Sequence, residues 1–320
     1  MSDPVLYAIF AGIVAVLLAI DLFVVQHDTH EVSITEAAVW SLIWIGVSIA
    51  FGLGIARFHD GGGVVVEYFT GYLIEKSLSV DNVVVFVLIF QALSVPREYQ
   101  HRVLFYGVLG AIVMRTILIL AGAALIARFQ WILYLFGAFL LYLAYKTWQK
   151  RSKSTDITKS RLMRQVRKVL PATKDYREER FFITEHGRRL VTPLFVVLVL
   201  VELSDLIFAV DSIPAIFAIT RDPFVVLTSN VFAILGLRSL YFLLSDTADK
   251  LRYLKHGLAV ILSFVGVKLL AENINGVWHP NPLQSLGIIC AILSIAILLS
   301  LRATQSKKTP ERPTALTDNR

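Results

Sequence analysis

Nine runs of roughly 20 mostly apolar residues punctuate the chain, and nothing else in it restricts the fold as much. They cover residues 5–25, 35–56, 64–92, 103–127, 130–148, 192–219, 223–244, 255–271 and 283–301. Hydrocarbon offers a backbone no hydrogen-bond partner, so a run of this length crosses a bilayer as an α-helix that pairs its own N–H and C=O groups. With 56% hydrophobic residues, 17% charged and a mean hydropathy of +0.67, the expected class is an all-α polytopic membrane protein. Four regions follow: spans 1–5 (residues 1–148), a basic loop (149–191), spans 6–9 (192–301) and a polar, disordered tail (302–320).

Lys and Arg set the expected orientation. One side collects Arg97, Arg102, the thirteen Lys and Arg of residues 149–191, then Lys250, Arg252, Lys255 and the tail. The other shows little beyond Arg57, Arg128 and Arg221, so the N-terminus is expected outside and the C-terminus in the cytoplasm. The first ten residues have no basic region and no small-residue cleavage site follows, which favours a retained helix over a signal peptide. Within the basic loop, SRLMRQVRKVL has one apolar face, suited to a helix on an anionic leaflet, and FFITEHGRRLVT reads as a short hairpin. The net charge of +7 comes largely from this loop and is assigned to topology, with no nucleic-acid partner.

Acids inside the spans narrow the function. Residues 192–219 carry Glu202, Asp205 and Asp211, and an aspartate at a helix centre costs about 2.5 to 3.5 kcal/mol on insertion scales. Three such groups must face protein, water or an ion. Asp21, near the inner end of span 1, either reaches the headgroups or acts within the membrane. Pro214 leaves the carbonyl of Val210 without its helical donor, and a break there would turn that carbonyl and Asp211 toward one cavity.

Residues 71–90 hold a second copy of the pattern. Laying Asp81-Asn82 on Asp211-Ser212 puts Glu75 on Asp205. VLGAIVMRTI then fits VFAILGLRSL, matching Arg115 with Arg238, and GAFLLYLAYK fits AVILSFVGVK, matching Lys146 with Lys268. Spans 3–5 and 6–8 are thus expected to be a three-helix repeat, inverted because span 3 would run inward and span 6 outward, making the two acidic helices antiparallel.

The intramembrane inventory is Glu75, Asp81, Glu202, Asp205 and Asp211 against Lys76, Arg115, Arg238 and Lys268, with Asn82, Ser77, Ser204, Ser212 and Asn230 nearby. The ligand set expected for a divalent cation is Glu75, Asp81, Asn82, Glu202, Asp205, Asp211 and Ser212, with Arg115, Arg238 and Lys268 as structural ion-pair partners. All seven offer oxygen, which suits Mn²⁺, Mg²⁺ and Ca²⁺ better than Zn²⁺ or Cu⁺. The single cysteine, Cys290, lies in span 9 away from the acids, so neither thiolate chemistry nor a disulfide is expected. Three further readings compete: acids that only neutralise buried arginines, a non-transporting subunit of a stress-response or metal-delivery complex, and an intramembrane aspartyl protease. The last is disfavoured because the aspartates sit in ELSD and SVDN rather than GxGD.

EKSLSVDNVVVF, VELSDLIFAVDSIPAIFAIT, TSNVFAILGLRSLYFLL and YGVLGAIVMRTI together resemble the TerC family of bacterial integral membrane proteins, and residues 5–300 fit its Alx-type members. The resemblance implies an inner-membrane protein, not an enzyme, related to the LysE-type transporter superfamily. It also implies manganese efflux and, by the family's name, tellurite resistance. The family's acidic motifs fall on Glu75, Asp81, Asn82, Glu202, Asp205, Asp211 and Ser212. Mn²⁺ is then cargo rather than a resident cofactor, with protons as the expected counter-ion.

Overall fold

The computed structural model describes residues 3–24, 32–58, 63–149, 173, 176, 179–185, 188–245, 253–271 and 280–306. Among them are ten α-helices: α1 (Asp3–Val24), α2 (Ile34–Ile55), α3 (Val64–Ala92), α4 (Arg97–Arg128), α5 (Ile132–Gln149), α6 (Pro193–Phe217), α7 (Pro223–Leu235), α8 (Leu237–Leu244), α9 (Leu254–Ala271) and α10 (Pro282–Ser306). Helix stands in each of the nine expected places. Six (α1, α2, α4, α6, α9 and α10) are long and apolar enough to cross a membrane, and α7 with α8 makes a seventh if taken as one bent span. Composition alone does not mark α3, which carries Glu67, Glu75, Lys76 and Asp81, or α5, which ends YKTWQ. The chain is a polytopic all-α membrane protein. Its outward faces carry bare apolar side chains such as Leu42, Ile117 and Ile295, which water would not tolerate at this density and lipid does.

The expected helix break at Pro214 is corrected. α6 runs unbroken through Pro214, because the proline lies only three residues before the helix end and costs one hydrogen bond. Buried neighbours Ile213, Ala215, Ile216 and Phe217 hold the last turn in place, and the Ala218 N–H closes on the Pro214 carbonyl. The break falls instead at Gly236, where α7 and α8 meet at 41°. Glycine favours it by leaving room: a Cβ on Gly236 would stand 2.8 Å from Lys76 Nζ and 3.2 Å from the Trp44 Cβ. Lys76 Nζ donates to the Ala233 carbonyl at 3.4 Å, a cation against the negative end of α7.

The directions of the central helices follow from which residues meet. Gly107 lies on Val201, Gly110 on Glu202 and Gly122 on Phe217, so α4 and α6 run parallel. Gly71 meets Ser229 and Lys76 reaches Ala233, so α3 and α7 run parallel too. α5 and α9 cross antiparallel, with Gly137 against Gly266 at one end and the Trp148 and His256 rings 5.3 Å apart at the other. A Cβ on Gly137 would sit 3.2 Å from the Gly266 carbonyl, and one on Gly266 3.1 Å from the Gly137 carbonyl. Close backbone approach is how helices gain contact in lipid, where the hydrophobic effect between them is absent.

An aromatic hub of Phe10, Phe51, Tyr68, Phe224 and Phe232 joins α1 and α2 to α3 and α7, with the rings of Phe51 and Phe232 4.5 Å apart. The hairpin expected before span 6 is formed by β1 (Phe182–Glu185) and β2 (Arg188–Val191), antiparallel with Phe182 opposite Val191. Nearby, Arg102 donates to Glu179 at 3.1 Å and Tyr176 to the Leu93 carbonyl at 2.8 Å, which ties this segment to α3 and α4. α10 continues to Ser306, into the expected tail. The remainder of that tail, the amphipathic stretch SRLMRQVRKVL and residues 186–187 of the hairpin lie outside the described residues.

Candidate functional site

At the centre of α3, α4 and α6 is Arg115, wholly buried. Its guanidinium forks onto Asp205, Nε to Oδ2 at 3.0 Å and Nη2 to Oδ1 at 2.8 Å. Nη1 bonds Glu75 and also Ser212 Oγ at 3.3 Å. Asn82 Nδ2 completes the set, donating to Asp205 Oδ1 at 3.4 Å. Planar, two-bond recognition of a carboxylate is what arginine offers and lysine does not.

Helix geometry explains which residues converge. Glu75 and Asn82 are seven apart on α3, and Asp205 and Ser212 seven apart on α6. Seven steps of roughly 100° bring a side chain back to the same face. Asn82 meets Asp205 while Glu75 shares Arg115 with Ser212, so α3 and α6 cross antiparallel. Asp81 and Asp211 each precede a converging residue by one position and so stand about 100° round from it. Both are half-buried and both have interaction partners.

The site keeps an excess of negative charge and of acceptors. Two carboxylates, Glu75 at 0% and Asp205 at 2% exposure, face one guanidinium. Glu75 Oε2 and Asn82 Oδ1 are buried without a hydrogen-bond partner. Glu202, one turn before Asp205, is half-buried against Gly110, and its Oε2 is also unpaired. Asn230, treated from the sequence as merely nearby, is wholly buried with neither amide atom paired. It follows Ser229, which packs on Gly71 one turn before Glu75. Ser77 and Ser204 are spent on their own helices, donating to the carbonyls of Leu73 and Leu200. Among the described residues no three His, Cys, Asp or Glu side chains are grouped closely enough to hold a metal by themselves, so any ion there would also use amide or hydroxyl oxygen.

Of the three expected structural partners, Arg115 takes that role toward the central acids. Arg238 does not: it is bound to Asp21 of α1, Nη2 to Oδ1 at 2.6 Å, with both side chains buried. Asp21 is therefore a buried ion-pair partner on α1. The signal for it was present, since an acid inside an apolar span demands a partner, but which of four basic residues would answer depended on the packing of α1. Lys268 donates to Ser285 of α10 at 3.2 Å.

The sequence from residue 61 to 308 matches the family model described as integral membrane protein TerC family. The Escherichia coli protein named "Putative membrane-bound redox modulator Alx" is 47% identical over 308 residues, 94% of this chain and 95% of that one. An uncharacterized membrane protein of Myxococcus xanthus is 47% identical over 302 residues, covering 94% of this chain and 93% of its own. The chloroplast thylakoid membrane protein TERC of Arabidopsis thaliana is 44% identical over 276 residues, 86% of this chain and 70% of that protein. No solved structure matches. Matched by that family model over residues 61–308 and 47% identical to a relative across nearly the whole of both chains, this chain belongs to the TerC family of integral membrane proteins.

Proposed function

We propose that the protein is a divalent-cation transporter of the bacterial inner membrane that exports Mn²⁺ by alternating access, with protons as counter-ion. One observation carries this reading: two buried carboxylates answered by a single guanidinium, with Glu75 Oε2 and Asn82 Oδ1 unpaired beside them. Buried oxygen acceptors without donors are costly, and a hard cation or a proton satisfies them. Asp81, Glu202, Asp211 and Ser212 complete the proposed set as the ion passes, because they adjoin the cluster in sequence and come from the same two helices.

The helix directions support an inverted repeat. With the sequence match carried onto the contacts, Asn82 against Asp205 has Ser212 with Glu75 as its image. The pairing of α3 with α7 has that of α4 with α6 as its image, and α5 crosses its own counterpart, α9. Nine spans with an external N-terminus and a LysE-like arrangement are part of the same proposal. Transport through a membrane between two related halves is the function such a duplication suits.

The test is ion uptake by proteoliposomes, comparing Mn²⁺, Mg²⁺, Ca²⁺ and Zn²⁺ with and without a pH gradient. Mn²⁺ uptake driven by the gradient is expected; inertness to all four would sink the transporter reading, and a Zn²⁺ preference would contradict the oxygen-ligand argument. The fork of Arg115 on Asp205 favours a second reading, a non-transporting membrane subunit in which the acids serve only as structural glue. Asp81→Asn and Asp211→Asn separate the two: they abolish function in a transporter and are tolerated in a subunit that acts through its basic loop.

A further inference from the structure

The repeat matches Glu75 with Asp205, Asn82 with Ser212 and Arg115 with Arg238. The cluster brings both matched pairs, Glu75 with Asp205 and Asn82 with Ser212, to one centre, but only one of the two matched arginines. Arg115 gives Asp205 a fork and Ser212 a single bond, whereas Arg238 lies outside, held by Asp21 on a helix that belongs to neither repeat. Under the same correspondence Arg238 would fork onto Glu75, the image of Asp205, and bond Asn82, the image of Ser212. Those two residues bear the unpaired oxygens, Glu75 Oε2 and Asn82 Oδ1, and Arg238 bears an unpaired buried donor, Nη1. These three are among the buried atoms left unmatched in this conformation, and an exchange of arginines would join them.

We propose that Arg238 is a second, parked occupant of the carboxylate pair: in the opposite-facing conformation it leaves Asp21 for Glu75 and Asn82, and Arg115 withdraws. This rests on the alternating-access reading above and adds what holds the site between ions. Two carboxylates at low dielectric cannot stand unneutralised, so a tethered guanidinium takes the cation's place and the arriving ion must displace it. The bend at Gly236, two residues before Arg238, gives α8 a pivot that spares α7. In α4, Val113 stands where Gly236 stands in the other repeat and the helix is unbroken, so Arg115 moves with its whole helix.

The exchange is read as a distance, without any transported ion. Nitroxide labels replace Val16 on α1 and Ser245 at the end of α8, in a Cys290→Ser background, and pulsed electron paramagnetic resonance is recorded on the full chain in lipid nanodiscs. The parent is expected to give mainly one distance. Arg115→Ala removes the present occupant and Asp21→Asn the parking place, and each is expected to populate a second distance. Should Arg115→Ala fail to fold, Asp21→Asn still decides, because it leaves the central fork intact. An unchanged single distance in folded Asp21→Asn overturns the proposal and leaves Arg238 and Asp21 as a fixed bridge. A second distance in a protein that transports nothing would keep the exchange and reject Mn²⁺ export; transport with one fixed distance would do the reverse.

Discussion

Arg115 decides the energetics of the centre. Truncating one partner of a buried ion pair strands the other charge, so Arg115→Ala is expected to cost about 3 to 5 kcal/mol, read as a lower midpoint of thermal unfolding in detergent. Arg115→Lys keeps the charge but loses the fork onto Asp205, and should fall between the parent and Arg115→Ala. Glu202 can be probed through its neighbour: a Cβ on Gly110 would run into the Glu202 carboxylate, so Gly110→Ala must push it aside. Expected is weakened Mn²⁺ uptake with little change in stability; unaltered uptake would remove Glu202 from the ion's path. At this scale the sequence marked the right neighbourhoods. It stressed Asp81 and Asp211 because they are charged, yet the cluster is built with the next residue of each pair, Asn82 and Ser212, which the seven-residue spacing from Glu75 and Asp205 turns inward.

Among the elements, the crossing of α5 and α9 is the most exacting. Gly137 and Gly266 touch backbone to backbone, so Gly137→Val or Gly266→Val wedges the helices apart and should lower expression of folded protein, measured by the monodisperse fraction in gel filtration. On the loop side, burial pushes the Tyr176 phenol up to about 12, above its usual value of 10.0. Its bond to the Leu93 carbonyl thus contributes fully below pH about 10 and is lost as pH rises toward 12. Tyr176→Phe should cost about 1 kcal/mol at neutral pH and flatten stability across that alkaline window. The hairpin of β1 and β2 and the positions of all nine apolar segments were legible in the residues. The break was not: proline advertised itself at 214, where burial of the flanking side chains outweighs one missing bond, while Gly236 looked like any glycine in an apolar run.

For the molecule as a whole, apolar run length and the absence of backbone partners in hydrocarbon were enough to determine a polytopic helical protein, and the spacing of acids and bases was enough to raise a duplicated half. Those are one-dimensional facts, because each helix satisfies its own backbone and shows its periodicity in its own residues. Tertiary packing alone decided the partnerships. Arg115 and Arg238 occupy matching places in the sequence, yet one lies between Glu75 and Asp205 and the other on Asp21, since the choice depends on where α1 docks beside α8. A buried charge requires some counter-charge by its own chemistry, and the three-dimensional arrangement selects which one is near enough to serve.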